Sequence, residues 1–348
     1  MLDSLYPKYV FIELTKNCNL YCIMCREKKL YFDDWYMSDE ILEKVMKTIV
    51  PHAEVVDLRG WGESSLDPRL PKLIDKISQL GKKTVLYTNL NTHNPSYWKN
   101  IIKKGTFLAI SIESGNKENY KKIRRGGNLE VVKNNLKAII EECDKDSTFP
   151  RPFFTTVISE KNVKEIKSLV DFGLEVGINE IELNPLSRPY HLNKPLGRWF
   201  GVLPEFEHET NCYLNDAYEY AKEKGISIKV AANLYHENSM KYKKCCHPWD
   251  YCCICANGDV SFCDHLFHNT NAIMGNLNDD DFYTIWHNNK YEELRKMHDE
   301  GIYNQLTEKG LECQWCSKNR YGNLEYLIGN DSRAIDLKMY LKTREVKR

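Results

Sequence analysis

Short apolar runs alternate with amphipathic segments through the first half of the chain. The runs are rich in Val, Ile, Leu, Phe and Tyr, which is typical of buried strands. They predict strands at residues 9–14, 55–59, 84–88, 108–113, 153–159 and 180–185. Because helical segments separate successive strands, the pattern predicts a parallel sheet with right-handed crossovers. Periodicity by itself leaves open whether that sheet is doubly wound or forms part of a barrel.

The amphipathic segments between these strands predict helices. One follows Ser38, a typical N-cap residue, and its apolar positions recur at helical spacing from Ile41 to Ile49. A second is predicted to begin at Asp67-Pro68 and to stop at Gly81. Further helices are predicted at residues 130–143 and 163–176.

The pattern changes near residue 200, and the chain divides into four predicted segments. Residues 1–200 form the α/β core. Residues 201–244 form an irregular bridging segment, with a helix near 212–224 and a strand at 226–230. Residues 245–325 form a cysteine-rich module in which Asn257-Gly258 predicts a hairpin turn. Residues 326–348 are predicted to form a charged helical tail.

Composition narrows the classes of function. Lys and Arg balance Asp and Glu, so no basic excess points to nucleic acid as a partner. No apolar stretch is long enough to span a membrane, and the N-terminus lacks the regions of a signal peptide. Thirteen cysteines without a secretion signal favour metal binding over disulfides. We therefore expect a cytoplasmic protein, because thiolate clusters need a reducing environment.

Three of the cysteines lie close together near the start of the chain. Cys18, Cys22 and Cys25 have the spacing C-x3-C-x2-C. They supply three thiolates, one fewer than a closed structural zinc site or a complete Fe–S ligand set requires. Three protein ligands on a [4Fe–4S] cluster leave one iron open for a substrate or cofactor. The alternatives are a zinc knuckle that lacks one ligand, or chance clustering in a cysteine-rich chain.

This cysteine spacing after a predicted strand resembles the radical S-adenosylmethionine (radical SAM) superfamily. The resemblance implies an α/β fold, a partial (β/α)6 TIM-like barrel with the cluster loop after its first strand. It implies two cofactors, S-adenosylmethionine (SAM) and a [4Fe–4S] cluster held by the three cysteines. It also implies that SAM is cleaved reductively to a 5′-deoxyadenosyl radical, with electrons from a flavodoxin- or ferredoxin-type donor.

Further residues match the SAM-binding motifs of that superfamily. Gly60, Gly62 and Glu63 resemble the Gly-Gly-Glu motif that holds the amino group of SAM, although Trp61 interrupts the glycine pair. Asn89 follows Thr88 where the family often has Thr-Asn-Gly, and Leu90 replaces the glycine. Each short motif has a plain alternative as an ordinary turn or strand end.

Two more matches follow the fourth predicted strand. Ser111 and Glu113 lie on one side of that strand by alternation, and they resemble the polar pair that binds the ribose hydroxyls. An Asp is common in the family where Glu113 stands here. Arg124 matches an arginine that binds the methionyl carboxylate, and the adjacent Arg125 is the alternative.

The C-terminal module carries a second cysteine set. Its spacing resembles the SPASM domain and its shorter relative, the Twitch domain. The resemblance implies that Cys245, Cys263, Cys313 and Cys316 hold one auxiliary [4Fe–4S] cluster. Cys246 is the alternative first ligand. A zinc ribbon is the alternative reading of the module, since four cysteines also suffice for zinc.

Other residues are candidates for contact with a substrate. Cys252, Cys253 and Cys255 are most simply small core residues, and otherwise potential hydrogen-atom donors. The polar substrate candidates are Arg59, Glu182, Asn184, Arg188 and His191. For each of these, a structural or solvent-facing role is the competing interpretation.

The resemblance is nearest in pattern to radical SAM enzymes of the 2-deoxy-scyllo-inosamine dehydrogenase type. It implies hydrogen abstraction from a small hydroxylated substrate, sugar-like or aminocyclitol-like, with oxidation as the outcome. The first predicted strand begins by about residue 9, so we expect no N-terminal peptide-recognition domain. The alternatives are a sugar epimerase or decarboxylase, and a peptide-modifying enzyme with a separate recognition partner. A non-enzymatic Fe–S or zinc protein is the remaining class.

Overall fold

The computed structural model describes residues 5–25, 36–185, 207–230, 245, 247–311, 313 and 335–336. The chain separates into two compact units. The first unit consists of Met1–Asn17, Asp33–Val85 and Asn233–Arg333, and the second of Cys18–Phe32, Leu86–Ala232 and Ala334–Arg348. The cysteine-rich module therefore shares a unit with the first two strands. The predicted segment boundaries remain a prediction.

Strands and helices alternate from Tyr9 to Val230. The strands are β1 (Tyr9–Ile12), β2 (Val55–Leu58), β3 (Lys83–Thr88), β4 (Phe107–Ser111), β5 (Phe153–Ile158), β6 (Glu180–Pro185), β7 (Ser227–Val230), β8 (Tyr251–Ile254), β9 (Asp259–Ser261), β10 (Ile273–Asn276) and β11 (Ile335–Asp336). The helices are α1 (Asp39–Thr48), α2 (Leu70–Gln79), α3 (Pro95–Ile102), α4 (Lys117–Ile123), α5 (Leu129–Lys145), α6 (Ile166–Val176), α7 (Glu207–Glu223), α8 (His247–Asp250), α9 (Phe282–Trp286), α10 (Asn289–Asp299) and α11 (Tyr303–Glu308).

In the first unit, β1 lies between two parallel partners. It pairs with β2 on one side and with β8 on the other, so that Tyr9 is level with both Val55 and Tyr251. All four β1 residues are buried, as an internal strand of aliphatic and aromatic residues requires. β8 continues through the Asn257-Gly258 turn into antiparallel β9, with Gly258 at φ 89°, which confirms the predicted hairpin.

In the second unit, β4, β5, β6 and β7 follow one another as parallel neighbours. Helices α5, α6 and α7 connect them, which is the expected crossover arrangement. β3 crosses the division, since its residues up to Val85 belong to the first unit. The α/β class and all six predicted strands are confirmed, with ends that differ by a few residues.

Two predicted elements were wrong in detail. The helix predicted from Asp67 begins at Leu70, because the Asp67 carboxylate accepts bonds from the backbone N–H and guanidinium of Arg69. The proline in its first turn is Pro71. In the predicted helical tail, Ile335–Asp336 instead form β11, which pairs with the edge of β7 at Val230. The remaining tail residues lie outside the described part of the chain.

Among the described residues, no helix has both the length and the apolar character needed to cross a membrane.

Candidate functional site

The loop that carries Cys18, Cys22 and Cys25 is held against the end of α4 in the second unit. Tyr21 N donates to the carbonyl of Arg125 at 2.8 Å, and Ile23 N donates to the carbonyl of Ile123 at 2.9 Å. Cys22 lies between these two anchoring bonds. Cys25 N donates to the carbonyl of Cys22, which forms a tight turn between the second and third cysteines. The structure thus fixes this segment through backbone bonds that the cysteine spacing did not predict.

Arg124 lies next to Cys22 and pairs with Glu113. Its Nη1 is 3.7 Å from Cys22 Sγ, and its Nη2 donates to Glu113 Oε1 at 2.8 Å. The Nε atom donates to the other carboxylate oxygen, so the ion pair is bidentate. Both side chains are buried. Burial alone would lower the pKa of Arg124, but Glu113 and Cys22 outweigh it, so that the pKa is raised. The guanidinium is therefore a fixed positive charge beside one thiol of the loop.

Asn89 provides a second nitrogen donor to the loop. Its Nδ2 lies 4.0 Å from Cys18 Sγ and donates to Asn19 Oδ1 at 2.9 Å. The next residue, Leu90, has φ 56°, the backbone conformation that favours glycine. The glycine of the family's usual Thr-Asn-Gly sequence thus suits this backbone conformation. The chain retains the conformation here, although it is strained for Leu90.

These residues fit the cluster that the sequence implies. The loop offers three sulfur ligands, and two of them have an N–H donor nearby, a common way to tune Fe–S centres. Burial raises the pKa of Cys22 to about 12 although Arg124 acts to lower it. The metal-free loop therefore keeps this thiol protonated, and iron must displace the proton to bind.

The Gly60–Glu63 segment belongs to the first unit. A Cβ on Gly62 would lie 2.3 Å from the carbonyl oxygen of Thr15 and 2.5 Å from that of Asn17. Residue 62 must therefore be glycine, because the backbone of Thr15 and Asn17, just before the cysteine loop, leaves no room for a Cβ. Glu63 is buried and accepts from Ser65 N at 3.3 Å and Ser65 Oγ at 2.6 Å, which begins a short 3₁₀ turn. Whether it also binds an amino group stays a prediction.

Sequence reasoning missed a pair in the first unit between the buried Glu13 and the partly buried His268. Glu13, at the end of β1, lies 3.0 Å from His268 Nε2 and accepts from the backbone N–H groups of Trp61 and Ala256. The His268 ring lies 4.4 Å from the Trp61 ring, and its backbone has φ 62°. Glu13 is a charged residue inside the apolar run of the predicted strand 9–14, which was the available signal. Its partner lies more than 250 positions away in sequence, and no local pattern reveals it.

Arg59, a predicted substrate residue, is held by two carboxylates of its own unit. Its Nε lies 2.9 Å from Asp57 Oδ2, and its Nη2 lies 2.9 Å from Asp264 Oδ2. The same Nη2 donates to the hydroxyl of Tyr251 at 3.3 Å. Asp264 directly follows Cys263, so this ion-pair network connects the end of β2 to the loop of a predicted auxiliary ligand.

The auxiliary cysteines lie partly outside the described residues. Cys263 is buried, and Cys245 and Cys313 are partly exposed. Cys246 and Cys316 are not among the described residues, so the choice of first ligand and the fourth ligand stay predictions. One ligand atom each from His247, Cys263 and Asp264 lies within 4.8 Å of the others. No motif in the sequence indicates a role for this histidine.

The three cysteines of the β8 region are all buried. Burial raises the pKa of each thiol above its ordinary value. Cys253 and Cys255 pack with Tyr9 and Phe11 in an aromatic cluster, while alternation places Cys252 on the opposite face of β8. They are small core residues here, and their thiols retain the S–H bond that a hydrogen donor would need.

The remaining polar candidates lie in the second unit. Asn184 Nδ2 donates to Thr155 Oγ1 at 2.9 Å and to Glu182 Oε1 at 3.3 Å, so Glu182 and Asn184 form a polar pair at the end of β6. Ser111 ends β4 and is partly exposed. Arg188 and His191 lie outside the described residues.

Comparison with family models identifies both parts of the chain. Residues 12–173 match the radical SAM superfamily, and residues 245–318 match the SPASM iron–sulfur cluster-binding domain. The protein is a radical SAM enzyme with a C-terminal SPASM domain. Its cofactors are accordingly SAM, a [4Fe–4S] cluster and an auxiliary iron–sulfur cluster in the SPASM domain.

Curated relatives differ in activity. The AdoMet-dependent heme synthase of Methanosarcina barkeri is 24% identical over 84% of this chain and 85% of its own. A tungsten-containing aldehyde ferredoxin oxidoreductase cofactor-modifying protein of Pyrococcus furiosus is 21% identical over 87% of each chain. The GTP 3′,8-cyclase of Hydrogenovibrio crunogenus is 26% identical, over about half of each chain.

Solved structures show the fold. AdoMet-bound anSMEcpe superposes with a TM-score of 0.66 at 17% identity, covering 97% of this chain and 92% of that one. SuiB of Streptococcus suis bound to S-adenosylmethionine gives a TM-score of 0.62 at 17% identity, covering 83% of this chain and 68% of that one. The α/β partial-barrel fold with a C-terminal Fe–S domain is thus confirmed.

Iron analysis tests the two predicted ligand sets. Anaerobically reconstituted protein should hold about eight iron and eight sulfide per chain, as two cubane clusters require. Changing Cys18, Cys22 and Cys25 together to Ala should leave about four of each. Stoichiometric zinc together with only four iron would contradict the auxiliary cluster and leave the first ligand set intact.

The Arg124–Glu113 pair should contribute strongly to folding. Arg124→Met leaves the buried Glu113 carboxylate uncompensated, so the free energy of unfolding of the metal-free protein should fall by about 3–5 kcal/mol. The control is Arg125→Met, because Arg125 is exposed and its loss should change stability by less than about 0.5 kcal/mol. Urea unfolding followed by circular dichroism measures both, and equal stabilities would show that the ion pair does not stabilise the fold.

Proposed function

We propose that this protein cleaves SAM reductively at the Cys18–Cys22–Cys25 cluster and abstracts a hydrogen atom from a small hydroxylated substrate, which it oxidises. The observation that carries the proposal is the cysteine loop of the second unit. Backbone bonds of Tyr21 and Ile23 anchor the loop at the end of α4, and Arg124 lies against the Cys22 thiol. Three thiolates are one fewer than a closed cluster needs, which leaves an iron for SAM.

When bound, the cluster and SAM supply a 5′-deoxyadenosyl radical that removes hydrogen from an unactivated carbon. The chain's residues bind and orient SAM. In this proposal Glu63 accepts from the amino group, Ser111 and Glu113 bind the ribose hydroxyls, and Arg124 binds the carboxylate. Gly60 and Gly62 allow the required backbone course, and Asn89 supports the loop at Cys18.

The contacts of Arg124 support its assigned role. Two of its nitrogens hold Glu113, while Nη1 lies toward Cys22 Sγ. A guanidinium can serve several acceptors at once because it has five N–H donors in a fixed plane. A carboxylate bound beside the Cys22 sulfur would therefore meet a donor that Glu113 already keeps in position.

The substrate part of the proposal is supported by polar side chains and by the relatives. Glu182 and Asn184 form a hydrogen-bonded pair that suits substrate hydroxyls, and Arg188 and His191 follow in sequence. The two relatives matched over most of their length are named for heme synthesis and for modification of a cofactor. Neither name describes a peptide, which favours a small-molecule substrate over a peptide.

Oxidation requires an acceptor for the second electron. We assign this role to the auxiliary cluster of Cys245, Cys263, Cys313 and Cys316, because a ligand set of four thiolates closes a cluster and suits it to electron transfer. A flavodoxin- or ferredoxin-type protein would supply the electron that starts the reaction.

Peptide modification is the second candidate function. SuiB bound to the precursor peptide SuiA has a TM-score of 0.58 to this chain, and anSMEcpe with a bound peptide has 0.63. A peptide-modifying enzyme would here work with a separate recognition partner. Epimerisation or decarboxylation of a sugar would use the same SAM site, with Cys252, Cys253 or Cys255 as the hydrogen donor of an epimerase.

SAM cleavage tests the first half of the proposal. With dithionite, the reconstituted protein should release 5′-deoxyadenosine, and Cys22→Ala should abolish release because two remaining protein ligands cannot hold the cluster. Glu63→Gln should weaken SAM binding by about 1.5–3 kcal/mol, the range for a hydrogen bond to a charged group. Calorimetry measures the affinity, with exposed Glu40→Gln as the matched control. Unchanged SAM affinity in Glu63→Gln would reject the role of Glu63.

Product analysis separates oxidation from the alternatives. Turnover of a panel of aminocyclitols that includes 2-deoxy-scyllo-inosamine should give a new carbonyl, two fewer hydrogens and one 5′-deoxyadenosine per product. Cys313→Ala should still form 5′-deoxyadenosine but lose the oxidised product. In deuterated water, a product that gains deuterium and keeps its hydroxyl would indicate an epimerase instead. Modification of a precursor peptide with no turnover of the panel would favour the second candidate.

A further inference from the structure

His247 lies beside a sulfur that the proposed function assigns to the auxiliary cluster. One of its ring nitrogens is within 4.8 Å of Cys263 Sγ. Elsewhere in the chain, side-chain nitrogens approach cluster cysteines at 3.7 Å from Cys22 and 4.0 Å from Cys18. The histidine is buried, so water cannot easily compete for the sulfur.

Neighbouring groups fix the position of this histidine. Its ring stacks on Tyr251 at 4.6 Å between centroids and 14° between planes, and Tyr251 stacks on Tyr9 of β1 at 4.9 Å. The buried Arg295 donates through Nε to the carbonyl of Pro248 at 3.0 Å, which holds the residue after His247. The imidazole therefore has a set plane and a set backbone.

The sulfur side is fixed as well. Asp264, which follows Cys263, is held by Arg59 Nη2 at 2.9 Å. Arg59 is in turn anchored to the fully buried Asp57, whose Oδ2 accepts from the hydroxyl of Tyr9 at 2.6 Å. A negative charge next to a cluster ligand would disfavour reduction, and the guanidinium offsets the charge of Asp264. Cys263 is thus positioned through Arg59 and Asp57 at the end of β2, and His247 through Tyr251 of β8.

We propose that His247 is a positioning residue of the auxiliary cluster, donating an N–H hydrogen bond to the Cys263 thiolate and thereby raising the cluster's reduction potential. This inference rests on the proposed function, since it takes Cys263 as a ligand. Hydrogen bonds to ligand sulfurs stabilise the reduced, more negative cluster. A cluster that accepts an electron from a substrate radical benefits from this stabilisation.

The test uses full-length protein in which Cys18, Cys22 and Cys25 are changed to Ala, so that only the auxiliary cluster gives an EPR signal. His247→Phe keeps the ring stacked on Tyr251 but removes the N–H donor. We expect its midpoint potential, from an EPR-monitored redox titration, to shift to a more negative value with the iron content unchanged. His247→Gln keeps an N–H donor and should restore part of the shift. His52→Phe, at an exposed position where the ring stacks on Tyr6, is the matched control and should match the parent.

Pulsed EPR of the parent protein with ¹⁵N-labelled histidine gives a second readout that needs no variant. A weak nitrogen coupling to the cluster is expected, as for an imidazole bonded to a ligand sulfur. Absence of coupling, or an unchanged midpoint potential in His247→Phe, would overturn the inference but would not contradict the auxiliary cluster. Loss of the remaining iron from a folded His247→Phe protein would make His247 a ligand, which also overturns it. A parent protein without any cluster signal would overturn the auxiliary cluster and the inference together.

Discussion

The burial of β1 between two parallel partners is the constraint on which the first unit depends. A strand with neighbours on both sides must satisfy its backbone in both directions, and its side chains must pack against buried surfaces on both faces. Tyr9, Phe11 and Glu13 therefore face aromatic and polar partners drawn from β2, β8 and the loop at His268. Because β8 belongs to the SPASM domain, β1, the strand before the cysteine loop, also pairs directly with the Fe–S module.

Two groups of buried ion pairs among the described residues each hold a loop beside a predicted cluster cysteine. Arg124 with Glu113 holds a guanidinium against Cys22 in the second unit. Arg59 with Asp57 and Asp264 holds the segment after Cys263 in the first unit. Removing one member of such a pair leaves a charge without compensation in a medium of low polarity, which costs far more than an exposed pair would. Electrostatics here positions ligands for clusters rather than simply adding stability.

Several short motifs combine a structural requirement with a chemical one. Gly62 is a glycine because the backbone at Thr15 and Asn17 occupies the space of a Cβ. Leu90 takes the left-handed conformation where the family usually has glycine, and its burial offsets the strain. Such positions explain why a motif can persist through a change of residue, since the backbone geometry is what must be kept.

The sequence by itself determined the six strands of the α/β core, most of the helices between them and the hairpin at Asn257-Gly258, because these depend on local periodicity and turn chemistry. It did not indicate α3, and it predicted a helix where β11 forms. It misplaced the start of α2, because the ion pair of Asp67 with Arg69 took over the expected cap. Only the tertiary structure decided which distant side chains meet. The pairs Glu13–His268, Arg59–Asp264 and His247–Cys263 form because strand pairing and loop packing bring them together, and nothing in the local sequence pattern records those contacts.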